Sequence, residues 1–525
     1  MSTGPFLVTS EQTSPITDFY RGRSLFITGG SGFVGKVLVE KFLRSCPDIE
    51  TIFILIRHKK GNNPAQRLEA ILNSKLFESV HETSPELLRK IVAIDGDMTL
   101  PGLGVSPSDL DTLKEKVSVV FHCAAAVRFQ EPLKISVDMN VLGTKKVIEL
   151  CKKMPHLKAL VHVSTAYCNC NREVIEEKIY PSPLEVQKLV NITSFLEEFK
   201  LLEKLTPRLL NGWPNTYTFT KAAAENLFQE ESVDFPVAIV RPSIVIATWK
   251  ETLPGWTETF NGPNGLNAAA ATGLLQTMLC DSTKIADLIP VDVVVNLMIA
   301  VGWRTATHRT STIKVYHCTS GQDKKLTWGQ LITLMFPYAL VYPTSHVIRH
   351  PQLKFTTNRL WNAICKLYQH YIPAYLYDLF LRLQGEKPKL VGLYTRLHRA
   401  INTLEFFSLR EWTFLNENTK RLSLELSGRD IETFSFDISD LEWSTYFENY
   451  AKGVRTFLFK EDWSTLPAAK VRLRRYNTIR KMRNLLVLLI AFRLLHKISQ
   501  TFRHLMALSF NYISSLISVS MEIAQ

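Results

Sequence analysis

A doubly wound parallel α/β sheet, continued by a mainly helical module and closed by a basic amphipathic tail, is the architecture predicted for this chain of 525 residues. Three observations predict it. Short β-branched runs alternate with helical patterns from Arg23 to about Val301. The alternation then fades into an aromatic, helix-patterned stretch over 330–465. Finally, positive charge concentrates at the end: residues 466–525 carry 10 Lys+Arg against one acid, Glu522, whereas residues 1–465 carry 52 against 48.

Residues 1–20 read as an irregular leader rich in Thr, Ser and Pro, too polar over Thr9–Asp18 for a signal peptide. Strands are expected at Ser24–Ile27, Thr51–Ile56, Ile91–Ile94, Val117–Phe121, Leu160–Val163 and Val237–Val240. Helices are expected at Gly35–Ser45, Glu131–Lys153 and Tyr217–Glu230. The division that follows is a nucleotide-binding domain over 21–330, a helical module over 331–465 and a tail over 466–525. The aromatics of Trp361–Phe380 read as core rather than membrane face. A hydrophobic share of 46% and mean hydropathy of +0.01 exclude a disordered chain and a polytopic membrane protein. Eight sparse cysteines without CxxC spacing indicate reduced thiols facing the cytosol, and no cluster has metal-ligand spacing.

The segment Thr28-Gly-Gly-Ser-Gly-Phe-Val-Gly35 leaves the first strand and opens the first helix. Gly29 permits the tight turn, Gly32 admits a pyrophosphate and Gly35 allows close helix packing. The helix N-terminus then offers free N–H groups to the anion. Thr28, Gly29, Gly32, Phe33, Val34 and Gly35 are therefore candidate cofactor contacts of a Rossmann-type dinucleotide site. Arg57, 22 residues after Gly35, ends the second strand in Ile56-Arg57-His58-Lys59-Lys60. A cation there suits the 2′-phosphate of NADPH, where an acid would suit the ribose of NAD. Asp97, after the third strand, is placed to accept from the adenine amine.

Tyr217-Thr-Phe-Thr-Lys221 puts a phenol and an amine on one helix face, one turn apart. The ammonium is expected to lower the tyrosine pKa. Ser164 and Thr165 end the fifth strand, at the carboxyl edge where such sheets bind ligands. One of the two hydroxyls donates to a substrate carbonyl; Thr165 is preferred, with Ser164 left as a cap. His122 and His162 read as core histidines rather than bases.

With these motifs, Phe121-His-Cys-Ala-Ala-Ala-Val127, Asn140-Val-Leu-Gly-Thr144 and Val240-Arg-Pro-Ser243 resemble an extended short-chain dehydrogenase/reductase. More narrowly, His162-Val-Ser-Thr-Ala-Tyr167, Ile372-Pro-Ala-Tyr, Asp378, Gly385-Glu-Lys-Pro388 and Trp443 to Arg455 make the chain similar to fatty acyl-CoA reductases, the insect-type, alcohol-forming members in particular. The resemblance implies that Ala124, Ala125 and Pro242 line a nicotinamide pocket and that Asn140 supports the catalytic group. It implies NADPH-dependent reduction of a long-chain acyl-CoA to a primary alcohol through an aldehyde. The rival readings are a reductase or epimerase on a sterol or nucleotide sugar, and a silent NADPH-binding scaffold at a membrane.

Leu485–Phe492 is a run of eight apolar residues. Beyond it, Arg493, His496, Lys497, Arg503 and His504 fall on one helical face and Leu488, Leu495, Ile498, Phe502, Leu505 and Met506 on the other. That pattern predicts a cationic helix lying in a membrane interface, with a span over Leu505–Met521 weakened by Asn511 and four serines. Nucleic acid is not the expected partner, because a phosphate-binding arm needs few leucines. Membrane association with a cytosolic catalytic domain is expected, with endoplasmic reticulum and peroxisome left as open alternatives, since Glu522-Ile-Ala-Gln525 is no recognisable retrieval or peroxisomal address.

Overall fold

The computed structural model describes residues 13–59, 61–195, 199–231, 233–260 and 262–523. The first twelve residues of the leader, Lys60 and the last two residues of the chain lie outside these, and with them parts of three sequence expectations. Seven parallel strands form the central sheet: β1 (Ser24–Thr28), β2 (Thr51–Ile56), β3 (Ile91–Asp95), β4 (Val117–His122), β5 (Ala159–Val163), β6 (Val237–Pro242) and β7 (Lys314–Cys318). Their order is β3-β2-β1-β4-β5-β6-β7. The chain reverses direction across the sheet between β1 and β4, which opens a crevice at the carboxyl ends of those strands.

The inner strands are short and buried on both faces, as a parallel sheet under two helical layers requires, whereas the edge strand β3 leaves Val92 exposed. Successive side chains enter opposite layers. Leu25, Ile27, Val119 and Phe121 join one core, whereas Phe26 and Val120 join the other. Helices α1 (Pro15–Tyr20) and α2 (Phe33–Ser45) lie in the first layer. The second contains α3 (Gly143–Cys151) and α4 (Thr216–Glu230); α5 (Val291–Thr307) returns to the first. That first core also takes in Leu422 to Leu458 from the later part of the chain, so the helical module shares it. A two-residue strand Thr413–Phe414 pairs with Val174–Ile175 and ties the module to the loop after β5.

Four expectations change. The leader is not irregular throughout. Pro15–Tyr20 is helical, and Tyr20 is buried with its hydroxyl donating to the Ile299 carbonyl at 2.9 Å. Ser14 and the Ile16 amide donate to Asp430 at 2.5 and 2.9 Å, joining the start of the chain to the helical module. A seventh strand lies beyond the point where the alternation fades: Lys314–Cys318 carries only Val315 and Tyr316 as strand formers, a weak local signal. The aromatics of Trp361–Phe380 are not core; most are exposed on α6 (Arg359–Lys366) and α7 (Ile372–Leu383). After α8 (Leu390–Asn402), the tail is one continuous helix, α9 (Leu466–Ile523), with a mean hydropathy of 1.5 in its most apolar part. It is long and apolar enough to cross a membrane, charges notwithstanding.

Candidate active site

The glycine turn is shaped for a close-lying ligand. Gly29 adopts φ +74°, and a Cβ there would sit 2.7 Å from the Ala124 amide. A Cβ at Gly35 would strike the Gly29 carbonyl and lie 2.6 Å from Gly30 Cα. At Gly32 it would meet only the Gly29 carbonyl, at 3.1 Å, so this side is open. Gly32 caps α2 without a side-chain bond, leaving the first amides free for an anion. This cradle fits a dinucleotide pyrophosphate. Gly30 received no role from the motif, yet a Cβ there would come within 2.5 Å of Ile54.

Three neighbours of the turn face inward. Phe33 stacks on Trp256 with ring centroids 5.4 Å apart, and Val34 packs on the core, each half-buried. Thr28 is fully buried. Its hydroxyl lies 2.7 Å from His122 Nδ1 and 3.3 Å from the Ala124 amide, which donates to it. His122 Nε2 is 3.0 Å from the Thr144 hydroxyl, which itself donates to the Asn140 carbonyl at 2.6 Å. The chain of donors fits a neutral His122 with its proton on Nε2; burial holds its pKa down at about 3. Thr28 and His122 therefore brace the β1–β4 crevice.

Arg57 and Asp97 close the far end of the crevice, at the carboxyl ends of β2 and β3. The guanidinium lies 3.8 Å from the carboxylate and is 53% exposed. Partial burial pulls the Asp97 carboxyl up, but the Thr99 amide and hydroxyl, Arg57 and Lys146 outweigh it and hold it below the usual carboxylate range.

At the near end stand Thr165, Tyr217 and Lys221. Asn215 caps α4 by accepting from the Thr218 amide at 2.9 Å, which sets the phase of the next turns. Tyr217 and Lys221 then share one face. Burial pushes the Tyr217 phenol up to about 12, and a hydrogen bond with the Thr165 hydroxyl pulls the other way. Burial lowers Lys221 to about 8, against the nearby Glu225. Its Nζ donates to the Val163 carbonyl at 2.8 Å and lies 3.1 Å from His162 Nε2. The expected lowering of the phenol by the ammonium is therefore not what the structure contains: burial governs the phenol, and Lys221 is engaged by β5. His162, read from sequence as a core histidine, is fully buried but contacts the amine directly.

The neighbouring hydroxyls divide differently from expectation. Thr165 both contacts the phenol and caps the turn Ala166–Asn169, accepting from the Tyr167 amide at 3.3 Å. Ser164 Oγ is buried with no hydrogen bond of ordinary geometry, a weak Cys168 thiol interaction aside. Thr165 also approaches the Pro242 carbonyl at 3.5 Å. Asn140 sits in a π-turn, Val137–Leu142, that precedes α3. It accepts from the Ala126 amide at 2.7 Å and donates to Thr220 at 2.9 Å, next to Lys221. It thus fixes the Ala124–Ala126 loop against α4, and its amide is spent on protein partners.

An aromatic wall adjoins the phenol. Phe129 stacks on Tyr217 at 5.9 Å and meets Phe407 at 5.4 Å. Phe407 in turn contacts Tyr167 at 5.4 Å, with Trp412 against the same tyrosine. Gln130 donates to the Arg399 carbonyl of α8 at 2.7 Å. The helical module thus supplies one side of the site, a contribution no local motif announces. A cavity of about 1100 Å³ near Arg304, His308 and Lys314 lies instead at the amino ends of β6 and β7, away from this chemistry.

A dinucleotide cradle, a hydroxyl–phenol–amine trio and a sheet that reverses between β1 and β4 define a nicotinamide-dependent reductase of the extended short-chain type. Two family models described as male sterility protein match the chain, the NAD-binding one over residues 27–298 and the other over 369–461. Human fatty acyl-CoA reductase 2 is 43% identical over 94% of this chain and 95% of its own length. Fatty acyl-CoA reductase 1 of Xenopus laevis is 41% identical over 93% and 95%. The chain belongs to the fatty acyl-CoA reductase family and is an oxidoreductase. Its fold is shared with the terminal R domain of the myxalamid PKS-NRPS pathway, at TM-score 0.55 and 19% identity, covering 84% of this chain and 93% of that one. The reductase domain of a Mycobacterium tuberculosis nonribosomal peptide synthetase aligns at TM-score 0.54 and 18% identity, covering 85% and 93%.

Proposed function

We propose that this chain reduces long-chain fatty acyl-CoA to a primary alcohol, using NADPH and passing through an aldehyde. The observation that carries the reading is the juxtaposition of Thr165, Tyr217 and Lys221 with an aromatic wall contributed by the helical module. The glycine cradle holds the pyrophosphate, Arg57 faces the 2′-phosphate and Asp97 the adenine. The Ala124–Ala126 loop and Pro242 border the nicotinamide end. The bound cofactor supplies hydride to the carbonyl carbon.

The chain's own residues handle the oxygen. Thr165 and Tyr217 donate hydrogen bonds to the thioester carbonyl and stabilise the negative charge that develops there. Tyr217 holds its proton at neutral pH and passes it to the carbonyl oxygen as negative charge builds there. Lys221, held near the sheet by Val163 and His162, replenishes that proton and orients the nicotinamide ribose. Collapse of the hemithioacetal releases CoA, and the same trio serves the aldehyde in a second reduction. Phe129 and Phe407 shelter the aldehyde from water between the steps.

Membrane association through α9 places this chemistry beside its substrate, with the catalytic domain facing the cytosol and basic residues of the tail on an anionic leaflet. Purified protein incubated with NADPH and acyl-CoAs of graded length, with products identified by mass, tests the reading. Alcohol as the main product in a single turnover is expected. Released aldehyde would remove the sheltering role, and no turnover of any acyl-CoA would favour the silent scaffold.

A further inference from the structure

α6, a π-turn over Leu367–Tyr371 and α7 run without a break from Arg359 to Leu383. At 1.5 Å per residue this rod is about 37 Å long. Its polarity is inverted. The inner face buries Ala374 and Leu381 but is anchored by polar side chains: Asn362 accepts from Thr277 at 3.2 Å, and His370 Nε2 accepts from the Gln276 amide at 3.0 Å. Asp378 accepts from the amides of Lys389, Leu390 and Val391, capping α8. The outer face is apolar. Leu360 is 72% exposed, Leu376 63% and Leu383 80%, and twelve large apolar or aromatic side chains along the rod stand in the open. A water-facing helix places its apolar stripe inward. Contiguous apolar patches of this extent mark an interaction site.

The position of the rod selects the occupant. Arg349 donates to the Gln369 carbonyl in the middle of the rod. The adjacent His350 is bonded by Arg480 of α9 at 3.2 Å, and Arg472 of α9 reaches the Ser345 carbonyl at 2.8 Å. Five residues past Arg480 the apolar run of α9 begins at Leu485. The rod and the start of the membrane-seeking helix are therefore bonded to the same short segment, Ser345–His350. The rod is not itself a span: Arg359, Lys366, Asp378 and Arg382 punctuate it. Trp361, Tyr368 and Tyr375 on its outer face are the residue types that sit at a lipid headgroup boundary, and Arg382 and Lys387 are exposed to meet anionic headgroups.

We infer that the outer face of the Arg359–Leu383 rod lies in the plane of an anionic phospholipid bilayer, as a second membrane contact beside α9. This rests on the membrane association proposed for α9. It has a consequence for substrate delivery: α8, which the rod carries through Asp378, touches the Gln130 loop beside the aromatic wall. An acyl chain dissolved in the leaflet thus lies close to the module that borders Tyr217.

The test uses the full chain, with Cys365→Ser to remove a half-buried thiol, reconstituted in vesicles of phosphatidylcholine and phosphatidylserine. Nitroxide labels are placed singly at Leu376→Cys, Leu383→Cys and Leu488→Cys. Collision with oxygen is compared with collision with a water-soluble nickel chelate. All three labels should favour oxygen several-fold, and NADPH oxidation with a short-chain acyl-CoA should persist in each variant, showing that the fold is intact. Nickel-accessible labels at 376 and 383 with an oxygen-favoured label at 488 would overturn the inference and leave the tail reading standing. Nickel access at all three would overturn both. Exclusion of both reagents at 376, with label-to-label distances showing paired chains, would mean that a second copy covers the face, and would also overturn it.

Discussion

At the β2–β3 end of the cleft, Arg57 faces Asp97 across 3.8 Å in the open; at the β5 end, Lys221 is enclosed and bonded to Val163 and His162. Water screens the first pair, so it contributes little to stability and can be re-tuned for one nucleotide or another. Burial sharpens the second. It moves the amine down to about 8 and the phenol up to about 12, so small changes there alter the proton chemistry. The difference teaches that, on the proposed function, cofactor preference and catalysis fall on separate parts of one sheet edge.

The strongest way to break the contrast is Tyr217→Phe. It keeps the stack on Phe129 and removes the acid, so kcat should fall by about 10²–10⁴-fold while nucleotide affinity persists. Steady-state rates beside a nucleotide fluorescence titration separate the two. Gly29→Ala attacks the shared cradle instead. A side chain at φ +74°, 2.7 Å from the Ala124 amide, should cost about 1–3 kcal/mol and weaken nucleotide binding at least about tenfold. Thermal melts with and without nucleotide measure both.

His162→Leu sharpens the comparison within the buried half. It removes one partner of Lys221 without touching the phenol, and kcat should fall about tenfold. Its diagnostic effect is on pH. Because the folded amine titrates at about 8, below its usual 10.5, the native state releases this proton before the unfolded chain does. Stability should therefore rise between about pH 8 and 10.5, while a rate that needs the ammonium declines over the same window. In the leucine variant the midpoint of that decline should move; a packing defect alone would lower the rate and leave the midpoint in place. The smallest effect is expected at the exposed end. Arg57→Glu should shift preference from NADPH toward NADH by up to about tenfold, since an exposed contact contributes near 1 kcal/mol. Relative kcat/KM for the two nucleotides checks it.

Local patterns made much of this visible. The glycine turn, Tyr217 with Lys221 one turn on, and the six strands through Val240 are each written within a few residues, and backbone geometry converts that spacing directly into placement. What stayed hidden depends on distant partners. Nothing near His162 announces that its ring meets an amine 59 positions away, nor that Phe407 completes a wall begun at Phe129. The Trp361–Phe380 stretch shows a third kind of failure. Its periodicity identifies two helix faces, but the identical pattern serves whether the apolar side turns inward or outward. Only Asn362, His370 and Asp378, bonded on the inner side, settle it. The seventh strand escaped because its five residues mix Lys314, His317 and Cys318 with only two strand formers, Val315 and Tyr316.

The short helix Pro15–Tyr20 acts as a suture. Its Ser14 cap and Ile16 amide grip Asp430, and its last tyrosine grips Ile299, so one turn and a half of backbone stitches the earliest described segment to two places hundreds of positions downstream. A proteolytic nick or trimming that reached Ser14 would loosen one seam between the helical module and the sheet layer, leaving the shared core and every residue of the reacting centre in place.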